Sequence, residues 1–151
     1  MKSDYLKYWR VVRFFIMRKY KLNQADLDML LFLYSESYFS RDRFDEYTKM
    51  MSWDHARFNR LLREGWIVMF RENKGKRKAL YELSYKCKRM INSIYKKLDG
   101  EEIPETTGGS NLFYKKLSYS DKRYRDMIIA MNQEVKQKNK GFIEQQQHPS
   151  P

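Results

Sequence analysis

Ser52-Trp53-Asp54-His55-Ala56-Arg57-Phe58-Asn59-Arg60-Leu61-Leu62-Arg63-Glu64-Gly65 runs directly into Trp66-Ile67-Val68-Met69-Phe70, and the period of the apolar residues changes at the glycine. Before it, Phe58, Leu61 and Leu62 recur at helical spacing; after it, the run is aromatic and β-branched and reads as a strand. Ser52 is a residue type that caps helix N-termini and Gly65 is the usual C-terminal stop, so a short helix is expected over about Trp53 to Glu64. A second strand, Ala79-Leu80-Tyr81-Glu82-Leu83, follows a turn-forming basic segment, Asn73-Lys74-Gly75-Lys76-Arg77-Lys78.

Upstream, Asn23 is positioned to cap a helix, with Asp26 three residues later as in a capping box. That helix carries Leu27, Leu30, Leu31 and Tyr34 inward and frays near Ser35 to Phe39. Ser40 then caps a third, short helix holding Phe44, Tyr47 and Met50 or Met51. Residues 4 to 20 place Tyr5, Trp9, Val12, Phe15 and Ile16 on one face of a first helix. Downstream, Ser84 to about Leu98 reads as a fifth helix with Met90, Ile91, Ile94, Tyr95 and Leu98. A linker over 99–118 contains Gly100, Pro104 and Gly108-Gly109. A last helix is expected over 119–138, with Tyr124, Met127, Ile128, Met131 and Val135 on one face, and 139–151 read as a flexible, Gln-rich tail. The expected fold class is therefore mainly α with a small β-hairpin: a winged helix-turn-helix core, within residues 1–98, flanked by N- and C-terminal helices.

The 151 residues allow one compact core. Lys and Arg number 31 against 19 Asp and Glu, so the net charge of +12 points to a polyanionic partner. Aromatic residues make up 16%, too many for a disordered chain. No stretch approaches the ~20 apolar residues of a membrane span, and no signal peptide is visible after Met1, so a cytoplasmic protein without a membrane partner is expected. One cysteine, Cys87, and two histidines, His55 and His148, give no metal site, and no cofactor is expected. Lys86, Lys88 and Arg89 beside Cys87 are the type of neighbour that lowers a thiol pKa, so a redox-sensing thiol is the alternative to an inert one. No catalytic constellation is present, and the chain is expected not to be an enzyme.

Stepping about 100° per residue from Phe58 puts Trp53, Ala56, Arg57, Arg60 and Arg63 on the outward side of the fourth helix. Arginines there suit major-groove reading, because a guanidinium can bridge two acceptors of guanine or clamp a phosphate. Lys74, Lys76, Arg77 and Lys78 in the hairpin would sit beside the DNA backbone. Residues 52–97 hold 13 basic and 4 acidic side chains, a net +9. The candidate DNA-binding set is Ser52, Trp53, His55, Arg57, Arg60, Arg63, Lys74, Lys76, Arg77 and Lys78.

These residues resemble the MarR-type winged-helix regulators. Leu22-Asn23-Gln24 leading into Leu30-Leu31-Phe32-Leu33 is similar to the opening of their second helix. Leu61-Leu62-Arg63-Glu64-Gly65-Trp66-Ile67 looks like the junction from recognition helix to wing, and Arg77 with Leu80-Tyr81-Glu82-Leu83-Ser84 looks like the wing arginine and return strand. The chain departs from the pattern at Gly75-Lys76, where an acidic residue is common, at Cys87, where a glycine is usual, and in its longer, acidic linker. The resemblance implies a homodimeric, sequence-specific regulator of transcription bound to double-stranded DNA, with helix one and the last two helices, including that over 119–138, forming the dimerisation domain. The alternative is a winged-helix protein-protein module, a structural or accessory component of a larger assembly such as a virion or polymerase complex; the strongly aromatic first helix fits that reading.

Overall fold

The structure is a computed structural model that describes residues 5–51, 53–105 and 117–147, the side chains of 142–147 excepted. Ser52, Gly108-Gly109 and His148 lie outside the described residues. Within them are six helices, α1 (Tyr5–Tyr20), α2 (Gln24–Tyr34), α3 (Arg41–Met51), α4 (His55–Arg63), α5 (Tyr85–Leu98) and α6 (Tyr119–Gln147). One antiparallel hairpin, β1 (Ile67–Arg71) with β2 (Leu80–Leu83), follows α4. The order is that of a winged-helix-like fold. The chain divides into two compact units, Leu22–Asn92 and the combination of Met1–Lys21 with Ser93–Pro151.

In the winged unit, the start of α2 is fixed by a complete capping box. The Asp26 N–H donates to Asn23 Oδ1 at 2.8 Å, and the Asn23 N–H donates back to Asp26 Oδ2 at 3.2 Å. Leu27, Met29, Leu30 and Leu33 are buried, whereas Leu31 and Tyr34 are half-buried, so the inward face is rotated from the one the leucines suggest. After α2 the chain does not fray. Phe39 exchanges two backbone hydrogen bonds with Tyr81 (3.0 and 2.8 Å) and adds a one-residue third rung beside β2. Ser40 caps α3, its hydroxyl accepting from the Arg43 N–H at 3.2 Å. Phe44 and Tyr47 are buried; Met50 and Met51 are exposed.

Gly65, at φ +84°, closes α4 in the left-handed conformation that glycine adopts without steric cost. The Trp66 N–H donates to Leu61 O and the Gly65 N–H to Leu62 O, the two bonds of a Schellman stop. The chain is thereby aimed straight into β1, which pairs Ile67 with Leu83, Val68 with Glu82 and Met69 with Tyr81 before a bulge at Phe70. Phe39, Phe44, Phe58, Leu61, Ile67 and Tyr81 form the core that fastens this hairpin to α3 and α4. Ser84 then caps α5, accepting from the Cys87 N–H.

In the helical unit, α1 buries Tyr8, Val11, Val12, Phe15 and Ile16, while the expected face residue Tyr5 is exposed and Trp9 half-buried. Among the expected residues of α5, Tyr95 is also exposed. Helix α6 buries Ile128, Met131 and Val135 and runs on to Gln147, past Lys138 where its apolar period stops. Gln, Glu and Lys are good helix formers, and Gly141 costs only about 1 kcal/mol in such a helix. Asn132, 1% exposed, accepts from the Ile103 N–H and donates to the Ile103 carbonyl, both at 2.8 Å, and so ties residues 101–105 to α6.

Candidate nucleic-acid interface

Helix α4 is anchored by Phe58 and Leu61. The Phe58 ring packs on Phe44 with centroids 4.6 Å apart, and the Arg41 guanidinium covers Phe58 at 4.7 Å. This anchoring rotates the helix so that His55, Ala56, Asn59 and Arg63 are exposed. The N-cap is Asp54, whose carboxylate accepts from the Arg57 N–H at 2.6 Å. The helix thus begins at His55, two residues later than a Ser52 cap would have it. Trp53, placed outward by the helical wheel, precedes the helix and turns inward. It meets Phe32 and Tyr47 edge-on at 5.3 and 6.3 Å and stacks with Phe44 at 5.9 Å.

Arg57 and Arg60 are not on the free side either. Both reach Asp26, which α2 presents at 1% exposure: Arg57 Nε lies 3.0 Å from Asp26 Oδ1, and Arg60 donates to the same oxygen. Their other ends meet Asp54 at 3.9 Å and Glu64 at 3.5 Å. The hydrogen bond to Asp26 outweighs partial burial and raises the Arg60 guanidinium above its ordinary pKa. A buried carboxylate needs such partners, and two guanidiniums satisfy one here. The residue missed on the helical wheel is Asn59. It is exposed, its amide oxygen accepts from Arg41 at 2.8 Å, and its amide nitrogen is a donor of the kind that pairs with adenine.

The wing differs. Lys74 and Arg77 exchange backbone bonds of 3.1 and 2.9 Å around the two-residue turn Gly75-Lys76. Gly75 has φ +58°, the positive value that the first central residue of a type II′ hairpin turn requires. Lys74 and Arg77 are therefore directly opposed like charges, an arrangement that costs stability. Lys74, Lys76, Arg77 and Arg63 are all exposed and have no ion pair among the described residues. Lys78 differs from its neighbours: it folds onto Asp42 at the start of α3, and that hydrogen bond raises its pKa. His55 Nε2 lies 3.4 Å from Asp45 Oδ1.

Asp26, Asp42 and Asp45 thus offset in space part of the +9 counted over residues 52–97. The whole winged unit, Leu22–Asn92, has 14 basic and 10 acidic side chains, a net of +4. Among the candidate residues, the three cations of the wing tip and Arg63 stay without a carboxylate partner among the described residues.

Cys87 is buried, and burial pushes its thiol up to about 12 against the smaller opposing pull of Lys86 and Lys88. It is a protonated, inaccessible thiol at neutral pH, without the thiolate a redox sensor uses. Among the described residues, no group of three His, Cys, Asp or Glu is placed to hold a metal ion, and no helix is long and apolar enough to cross a membrane.

No known family's model matches this sequence, and no curated protein matches it. Among solved structures, the chain is similar to that of disulfide-formed AbfR, at 13% identity over 93% of this chain and 87% of that one, with a TM-score of 0.44.

Proposed function

We propose that this chain is a MarR-like, sequence-specific double-stranded DNA-binding regulator of transcription that works by binding and not by catalysis. The observation that carries the reading is the wing tip. Lys74, Lys76 and Arg77 project from a tight turn, two of them directly opposed, with no carboxylate among the described residues to neutralise them. A duplex backbone supplies the missing anions and releases its counterions in exchange. In this reading α4 meets the major groove through Asn59 and Arg63, with His55 at its entry, while Arg57 and Arg60 serve to hold α4 against α2. A homodimer acting in the cytoplasm on a two-fold site completes the proposal.

The test is fluorescence anisotropy with random duplex DNA at ~50 and ~200 mM salt. Micromolar binding that falls by orders of magnitude over that range is the expected result. Absence of binding at the lower salt rejects the regulator. The alternative protein-protein module is favoured by the exposed apolar side chains of the hairpin, Met69 and Phe70, with Tyr38 packed on Phe70 at 4.3 Å. It becomes the better reading if no nucleic acid binds.

A further inference from the structure

The larger share of the net charge lies outside the winged unit. Met1–Lys21 and Ser93–Pro151 together hold 17 basic and 9 acidic residues, a net of +8. Within this helical unit the charges are sorted by position. Asp99, Glu101, Glu102 and Glu134 are each answered locally: Tyr5 donates to Asp99 at 2.6 Å, and Lys97, Lys136 and Lys7 pair with the three glutamates at 3.0, 3.4 and 3.1 Å. Away from them, α1 from Arg10 onward and the first turns of α6 carry Arg10, Arg13, Arg18, Lys19, Lys21, Lys122, Arg123 and Arg125; Arg10 and Arg13, three residues apart, share one side of α1, where Arg10 meets Tyr124 of α6, whereas Lys19 lies about 180° round the helix from Arg10. Arg18 pairs with Asp121 there, and Phe14 stacks on Tyr124 at 3.6 Å.

Of those eight cations only Arg18 and Arg125 have a carboxylate partner among the described residues. Four of the other six are held by groups that leave the charge intact. Arg10 donates to the Tyr124 hydroxyl at 3.3 Å, Arg13 lies over Trp9, Lys19 over Tyr20 and Arg123 over Tyr119, with cation-to-centroid distances of 5.3–5.9 Å. Helix dipoles account for part of the pattern, since Arg18, Lys19 and Lys21 end α1 where cations are favoured. They do not account for Arg10 and Arg13 in mid-helix. They run against Lys122 and Arg123, which sit in the first turns of α6, at the end of a helix where cations are disfavoured.

We propose that this basic end of the helical unit, centred on Arg10, Arg13 and Arg123, is a second seat for the phosphate backbone of nucleic acid, distinct from the wing. Five of the eight cations are arginine, whose planar fork matches phosphate. A lipid surface is less suited: the one large apolar side chain that stands well exposed among these residues is Tyr119, and an interfacial helix needs a bulky apolar face. The proposal rests on the nucleic-acid reading for the class of partner and not for the wing's part in it.

The experiment uses the full chain, a labelled random duplex and a salt series, with R10Q/R13Q/R123Q and, should that variant fail to fold by circular dichroism, R13Q/R123Q. The wing variant K74Q/K76Q/R77Q is measured alongside. Three lost phosphate contacts shrink the fall in affinity between ~50 and ~200 mM salt by about 40-fold. A folded helical-unit variant with the wild-type salt slope overturns the proposal. Vesicles containing phosphatidylserine that capture the wild-type chain but not the variant, with the DNA slope unchanged, also overturn it, in favour of a membrane. A slope that drops for the helical-unit variant and not for the wing variant sustains this seat and removes the wing from the proposed function; the reverse pattern does the opposite.

Discussion

Helix α4 and the wing carry the same kind of side chain, and the fold gives them opposite surroundings. Arg57 and Arg60 converge on one carboxylate, Asp26, which is withdrawn from water and also completes the cap of α2. Lys74 and Arg77 face one another across two residues and meet no carboxylate among the described residues. The difference teaches that a helical wheel gives the side of a helix on which an arginine starts, not the atom at which it ends. A long side chain at the flank of α4 can reach back to a neighbouring helix. At the tip of a two-residue turn no such neighbour is within reach, apart from the one that Lys78 finds at Asp42.

The sharpest way to break the comparison is Asp26→Ala. It removes the carboxylate that joins α2 to α4 together with half of a capping box. Because Arg57 and Arg60 remain part-exposed at 21% and 32% and can turn to water, the expected loss is about 2–3 kcal/mol and not the larger cost of stranding a fully buried ion. Urea denaturation measures it, and a loss under about 0.5 kcal/mol, the range of ordinary surface changes, would show the cluster to be ornamental. Next in size, K74Q/K76Q/R77Q should leave the urea midpoint nearly unchanged while weakening duplex binding about 40-fold more at ~50 than at ~200 mM salt. R57Q/R60Q should do the converse, lowering stability with little effect on the salt slope; a slope that drops by about 2 would return these arginines to the DNA.

Asn59→Ala sharpens the division within α4 itself. It should cost about 1 kcal/mol at one base position of a selected site, whereas Arg63→Gln should weaken all sequences alike. Competition binding against single-base variants of the site separates the two. The smallest effect is expected for Lys78→Gln, an exposed lysine already engaged with Asp42, whose loss should shift neither the melting temperature nor the salt slope measurably.

Local chemistry made much of this fold legible. Asn23 with Asp26, Gly65 before a β-branched run, and Gly75 in a basic turn each signal their element through contacts made within a few residues. The remainder depends on pairs distant in sequence. Asp26 reads as a capping residue, and nothing near it announces two arginines 31 and 34 positions away. Phe39 adds a single rung to β2 and so leaves no alternation to detect. In α1, Tyr5 and Trp9 read as core because they are aromatic, yet Tyr8 and Val11 take those places. Trp53 reads as outward for a related reason: a wheel that includes it starts two residues before the helix itself. For the candidate site, the wing was legible because its cations stay where the turn puts them, whereas the destination of the α4 arginines was not.

The amide of Asn132 meets both backbone groups of Ile103, so a side chain on α6 does for one residue of irregular chain what a neighbouring strand would do. The Ile103 N–H can exchange with solvent only when that amide lets go. Because Asn132 sits between Met131 and the buried turn of Ile128 and Val135, letting go means lifting α6 away. Hydrogen exchange at Ile103 is thus a built-in gauge of how long the last helix stays docked.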